Sequence, residues 1–444
     1  MKEGFIRRLL NPAVAVLCMS LTLTGCDPLH LGKTDQTSTP SNPPVTSEFI
    51  SSSITESSPS PENVDLTAAR RIMAETLISQ IYSGLTGSEL PAGSYSDSLD
   101  GMADGTVSIN NIVLSIISSD EFSGLELSDE QFTINCYDAF LSDIPDEYEM
   151  RYYTDLLADG ISREEIADMI MRHISFAELC SGYGFLPEFT PANTAYNEDR
   201  YGFIADTEFP EHLTAFGGYT PDSEALEALY KAMDEIEEQN HDFGFMVIDI
   251  NSGKGISYNV DQTFYTASSI KGPFAASLAC IDPDAAMSWE NSIISMLVYS
   301  DNDAYTTLNN TYRRVYIQQW CEEIGIDPDP FRYKYPHISA RQMAALWMRS
   351  CEFFDSGEFG EQVGSWFESP EYSLIHSELG EQYTTRSKAG WLVDDDPTHT
   401  TTIDAGIVYA ENGPYVVVIM SDFPENIEPL RPLMQALEQT HLRM

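Results

Sequence analysis

Near the C-terminus, Thr400-Thr-Thr-Ile-Asp-Ala-Gly-Ile-Val-Tyr409 and Tyr415-Val-Val-Val-Ile-Met420 flank the turn Glu411-Asn-Gly-Pro414. Both runs are rich in β-branched residues, and Asn-Gly is a strong tight-turn signal, so the stretch predicts a long antiparallel hairpin. A hairpin this apolar needs more strands beside it and helices over it. Phe243-Gly-Phe-Met-Val-Ile-Asp-Ile250 and Gly255-Ile-Ser-Tyr-Asn259 predict a second hairpin around Asn251-Ser-Gly-Lys254, and Tyr383 to Leu392 reads as another strand. Asp222 to Asn240 carries Leu226, Leu229, Tyr230, Met233 and Ile236 on one stripe, as an amphipathic helix does. A last helix runs from Ile427 to about Leu442. Residues 222–444 therefore predict an α/β fold, an antiparallel sheet with flanking helices.

The remainder divides by composition. Lys2, Arg7 and Arg8 precede a mostly apolar stretch, Leu9 to Leu23, that is short and broken for a membrane span. It ends in Leu23-Thr-Gly-Cys26, which resembles a bacterial lipobox, so residues 1–26 read as a lipoprotein signal with Cys26 lipidated. The expected location is extracytoplasmic, anchored by lipid to the bacterial membrane. Residues 27–64 are rich in Ser, Thr and Pro and read as a disordered tether. Residues 65–185 show apolar positions at helical spacing, such as Ile72, Leu77, Ile81 and Leu85, and predict an all-helical domain. An internal repeat runs through it: Ala103-Asp-Gly105 and Ala158-Asp-Gly160 each precede a helix. This part resembles a small helical family of unknown function repeated in bacterial surface proteins, which implies a spacer or a module that binds another surface component. Residues 186–221, with their prolines and Gly217-Gly218, read as a connector, and the helical and C-terminal parts are expected to fold separately.

The net charge of −47 repels phosphate backbones and argues against a nucleic-acid partner. Asp97, Asp100 and Asp104 lack the spacing of an EF-hand loop, and no histidine stands at metal-ligand spacing from a second His or Cys. No metal and no cofactor is expected. Cys136 and Cys180 could pair within the helical repeat. His337 reads as a loop histidine near the cleft.

The chemistry concentrates in Phe264-Tyr-Thr-Ala-Ser268-Ser-Ile-Lys271-Gly-Pro273, an extended segment running into a small-residue helix. Ser268 and Lys271 share one helix face. A hydroxyl needs an adjacent base to act as a nucleophile, and a desolvated amine can supply it. Tyr299-Ser300-Asp-Asn302 follows in the helical middle, and Lys388-Ala-Gly390-Trp391 on a later strand.

Three motifs in that order resemble those of the penicillin-recognising serine hydrolases, the class A β-lactamases and penicillin-binding DD-peptidases. The resemblance implies a β-lactamase-like sheet and a set of roles. Ser268 is the acylated nucleophile, Lys271 its base and Ser300 a proton relay. Asn302 and Lys388 bind substrate, and the backbone N–H groups of Ser268 and Trp391, next to Gly390, form the oxyanion hole. Two departures stand out. No Glu-x-x-Leu-Asn loop precedes the helix beginning at Ala340, so no deacylating base is visible. Ala389 replaces the usual Ser or Thr, and Arg386, expected on the same strand face as Lys388, is read as its substitute in binding a carboxylate. The implied activity is acyl hydrolysis or transfer on cell-wall peptide or β-lactam-like amides. The alternatives are a non-catalytic surface lipoprotein that uses the fold to bind, and an esterase or amidase.

Overall fold

The computed structural model describes residues 66–189 and 194–444. The expected signal with Cys26 and the expected tether lie outside the described residues, as do residues 190–193 of the connector. Among the described residues no helix is long and apolar enough to cross a membrane.

Nine strands are present among them: β1 (Thr214–Phe216), β2 (Phe243–Asp249), β3 (Gly255–Tyr258), β4 (Thr263–Tyr265), β5 (His337–Ser339), β6 (Thr384–Ser387), β7 (Gly390–Leu392), β8 (Thr401–Ala410) and β9 (Gly413–Ser421). Seven form one antiparallel sheet in the order β1-β3-β2-β9-β8-β6, with β7 also paired to β8. Both predicted hairpins are there: β2 with β3, and β8 with β9. Strands β6 and β7 lie end to end along β8, β6 facing Gly406 to Tyr409 and β7 facing Thr401 to Ile403. Lys388-Ala389 is the break between them. Strands β4 and β5 form a separate pair. The main sheet begins in the stretch expected to be a connector, since β1 pairs with β3.

Alternation along the strands divides the interior in two. Phe243, Phe245 and Val247 face one core with the helices Ser223–Glu237 and Arg431–His441. Met246 and Ile248 face the other, with the helices Lys271–Ile281 and Ala340–Phe354. Burial on both faces explains why these strands read as nearly continuous apolar runs.

The N-terminal part is helical, as expected. Its two Ala-Asp-Gly segments do the same work: Gly105 and Gly160 adopt φ of 85° and 94°, where a side chain is strained. The chain then restarts as Ile109–Ile117, capped by Ser108, and as Arg163–Met171, capped by Ser162. Cys136 and Cys180 are free, buried thiols, so the suggested pairing is absent.

This helical part and the sheet share one continuous core, with Ile81, Phe140 and Leu156 in the same cluster as Leu226, Tyr230 and Phe245. The helix Glu147–Ala158 makes the join. Tyr148 stacks on Tyr230, Arg151 pairs with Asp234 at 2.6 Å, and the Tyr152 hydroxyl accepts from the Ala215 N–H of β1. The expectation of two separately folding parts does not match this packing.

Candidate active site

Ser268 lies in a 3-10 turn, Ala267–Ile270, that continues into the helix Lys271–Ile281. Two contacts hold the turn: Ser269 Oγ donates to the Thr266 carbonyl at 2.7 Å, and the Thr266 N–H donates to the Pro336 carbonyl at 3.0 Å. Ala267 has φ of 43° and Ser300 φ of 55°, both in the left-handed region. Each costs about 1 kcal/mol or more, and such strain gathers where geometry is imposed by a site.

Lys271 is fully buried. Its Nζ donates to the Ser300 carbonyl and to Asn302 Oδ1, both at 2.7 Å, with Ser300 Oγ at 3.4 Å. Desolvation first, then the positive charges of Lys388 and Lys334, bring its pKa down to about 7, against a smaller opposing effect of Asp301. An uncharged amine has two hydrogens and one lone pair. Both hydrogens have acceptors here, so the lone pair is left to take a proton. Asn302 begins the helix Asn302–Tyr312, which Asp301 caps through the N–H groups of Asp303 and Ala304. The structure thus joins Lys271, Ser300 and Asn302 in one hydrogen-bonded group.

Gly390 sits directly against the backbone of the Ser268 turn: an added Cβ would lie 2.6 Å from Ser268 N and 2.3 Å from Ser269 N. Lys388 N–H donates to the Ala405 carbonyl, and the register continues with Gly390 opposite Ile403. Alternation along an antiparallel pair then turns the Trp391 N–H away from β8, toward the Ser268 turn. Gly390→Ala is expected to slow acylation at Ser268 by about 100-fold or more, because backbone cannot yield to the new methyl group. Adduct formation measured beside the melting temperature separates this from unfolding.

Lys388 is 1% exposed and donates to the Ala389 carbonyl at 2.8 Å. Burial lowers its pKa to about 8, partly opposed by Asp404. Asp404 lies behind it on β8, where burial raises its pKa to about 6 although Ser373 Oγ and the Ile375 N–H both donate to it.

Arg386 does not take the expected role. Its guanidinium donates to Glu368, Glu361 and Tyr409 and packs on Phe354. The pairing register runs on without a slip, from Arg386 opposite Ile407 to the Lys388 N–H on the Ala405 carbonyl, so the two residues do share a sheet face; it is the carboxylates of Glu361 and Glu368 that take up Arg386.

Residues 275–440 match the beta-lactamase enzyme family. The match starts past Ser268 and Lys271 and includes Ser300, Asn302, Lys388, Gly390 and Trp391. Residues 113–180 match a domain of unknown function, DUF4214. No curated protein matches the chain. Similar solved structures include a beta-lactamase from Chitinophaga pinensis DSM 2588, at 14% identity and TM-score 0.40 over 49% of this chain and 97% of that one. They also include the extended-spectrum beta-lactamase TLA-1, at 9% identity and TM-score 0.41 over 50% and 99%. PBP-A is similar at 18% identity and TM-score 0.39 over 49% and 97%.

In this β-lactamase-like domain, the loop between the helix Val315–Glu323 and β5 returns to the site because β5 pairs with β4, just ahead of Ser268. Its carboxylates, Asp327 and Asp329, are exposed, and Asp329 pairs with Arg332. What the loop brings inward is a cation that sequence reasoning missed. Lys334 Nζ donates to Thr306 Oγ1 at 2.8 Å, and its carbonyl accepts from the Tyr305 hydroxyl. Both Lys334 and Lys271 lie within 5.6 Å of the Tyr305 ring centroid. The chain has seven lysines in all, and three are gathered here against a net charge of −47. That scarcity was the available signal. His337 is on β5 rather than in a loop; it is exposed, its Nε2 contacts the Thr398 carbonyl and its ring packs near Tyr265.

Proposed function

We propose that the chain is a serine acyl hydrolase or transferase working through an acyl-enzyme on Ser268, with cell-wall peptides or β-lactam-like amides as the substrate class. The observation that carries this reading is the state of Lys271: buried, brought to a pKa of about 7, with both amine hydrogens taken and one turn from the serine. Ser268 Oγ attacks the acyl carbon while Lys271 takes its proton. The Ser268 and Trp391 N–H groups receive the oxyanion, and Ser300 passes the proton to the leaving atom. Asn302 holds the acyl amide, and Lys388 contributes positive charge behind the strand break. Acylation is complete with these groups, whereas the carboxylates of the loop before β5, Asp327 and Asp329, are exposed and Asp329 is paired with Arg332, so they do not activate a deacylating water and the acyl-enzyme is long-lived. The chain is extracytoplasmic, anchored to the bacterial cell membrane by lipid on Cys26, and the helical part contacts another surface component.

Labelling by a reporter-tagged penicillin and by a reporter fluorophosphonate tests the reading. Signal in the wild type that vanishes in Ser268→Ala is the expected result. Equal labelling of both proteins, or of neither, favours a fold used only for binding.

A further inference from the structure

A cavity of about 320 Å³ opens at the break between β6 and β7, lined by Tyr372, Ser373, Ala389, Trp391, Glu425 and Ile427. It adjoins the reacting centre, because Ala389 and Trp391 flank the glycine that touches the Ser268 backbone. By the resemblance to serine hydrolases, this is where a hydroxyl and a cation would hold a substrate carboxylate. The expected residues supply neither: Ala389 has no hydroxyl, Lys388 is buried and bonded to the Ala389 carbonyl, and Arg386 is held by Glu361 and Glu368. Of the two hydroxyls in the lining, that of buried Ser373 is given to Asp404, and that of Tyr372 is uncharged and exposed.

The lining instead carries one carboxylate, Glu425, which makes no ion pair among the described residues. Its placement is built into the fold. Thr402 Oγ1 donates to the Phe423 carbonyl at 2.8 Å and accepts from the Asn426 N–H at 3.2 Å, pinning both ends of the turn on β8. Glu425 itself sits at φ 46°, a strained conformation for a residue with a side chain. Trp391 and Tyr372 pack edge to face, centroids 5.3 Å apart, and give the cavity an aromatic wall. An anionic group entering here meets a like charge, no free cation and aromatic rings, whereas an amine or a neutral group meets a carboxylate and an apolar surface.

We propose that this cavity receives an uncharged or cationic leaving group, so that the preferred acyl donors are esters and amides without a carboxylate on the leaving side. The proposal rests on the acyl-enzyme reading of Ser268. In the step it describes, the Ser268 Oγ–carbon bond forms and the bond from the carbonyl carbon to the leaving atom breaks. The Oγ proton goes by way of Lys271 and Ser300 to that leaving atom, so no co-reactant is required.

Three benzoylglycyl thioesters that differ only in the leaving thiol test it: mercaptoacetate, mercaptoacetamide and thiocholine, whose quaternary ammonium cannot capture the acyl group. The full chain is assayed by thiol release and by the mass of the Ser268 adduct. The amide and the cation are expected to acylate at least about tenfold faster than the anion. Glu425→Lys should reverse the order of anion and cation, and Glu425→Gln should bring the cation level with the amide. Preference for the anionic thioester in the wild type, or ratios unchanged in both variants, overturns the proposal while the acyl-enzyme stands. No adduct from any of the three overturns the acyl-enzyme reading, and this inference with it.

Discussion

Lys271→Ala is expected to slow acylation of Ser268 by about 1,000-fold, within the range that a positioned general base contributes. The variant leaves the Ser300 carbonyl and Asn302 Oδ1 without their donor, so its melting temperature is measured alongside. A pH profile distinguishes loss of a base from loss of structure. Lys271 acts when uncharged, and its pKa is about 7, so the wild-type rate should rise tenfold per pH unit below 7, level off above it and fall again above about 8, where Lys388 loses its charge. The charged groups that set this value are Lys388 and Lys334, which lower it, and Asp301, which raises it. Lys334→Met removes a positive neighbour, so the amine holds its proton more tightly and the rising limb moves to higher pH. Asp301→Asn should move it the other way. A profile that stays in place in Lys334→Met would show that this lysine does not tune the base.

Removing the helical part is expected to destabilise the sheet domain severely. A chain starting at Thr194 exposes Leu226, Tyr230 and the edge strand β1, and it loses the Arg151–Asp234 pair and the Tyr152 contact with Ala215. Uncovering several large apolar side chains costs about 5 kcal/mol. For a domain of this size that lowers the melting temperature by about 10 °C or more. Far-UV circular dichroism and calorimetry on the fragment and the full chain check it. Equal melting temperatures would mean that the join adds nothing and that the two parts fold independently.

What sequence reading captured at this site was local. Hairpins announce themselves by β-branched runs around Asn-Gly and Ser-Gly turns, and Ser268 and Lys271 are one helical turn apart whatever surrounds them. What it missed depends on which parts of the chain return. Arg386 and Lys388 share a face as the strand period predicts, but the glutamates that hold Arg386, Glu361 and Glu368, come from segments some twenty residues earlier that nothing local ties to it. The edge strand β1 is three residues long, too short for a period to show. Lys334 reaches the site only because β5 pairs with β4, a contact between segments some seventy residues apart in sequence. Glu425 stands in a turn whose position depends on Thr402 of a neighbouring strand. Of the contacts that join the two parts, Tyr148–Tyr230 and Arg151–Asp234, Tyr230 reads from sequence as part of an apolar stripe with no partner specified, and Arg151 and Asp234 look like an ordinary solvated helix face when read alone.

Acylation of Ser268 is tested by a time course of intact-protein mass after mixing with an activated neutral thioester, followed by peptide mapping. One acyl group is expected, on Ser268, that accumulates to full occupancy and clears more slowly than it forms, with no adduct in Ser268→Ala. Thioester consumed quickly with no accumulated adduct would contradict it. That result would require a deacylating base, and Glu371, whose N–H donates to the Val298 carbonyl beside the Ser300 segment, would be the first to replace. Absence of both adduct and turnover would contradict the acyl-enzyme itself.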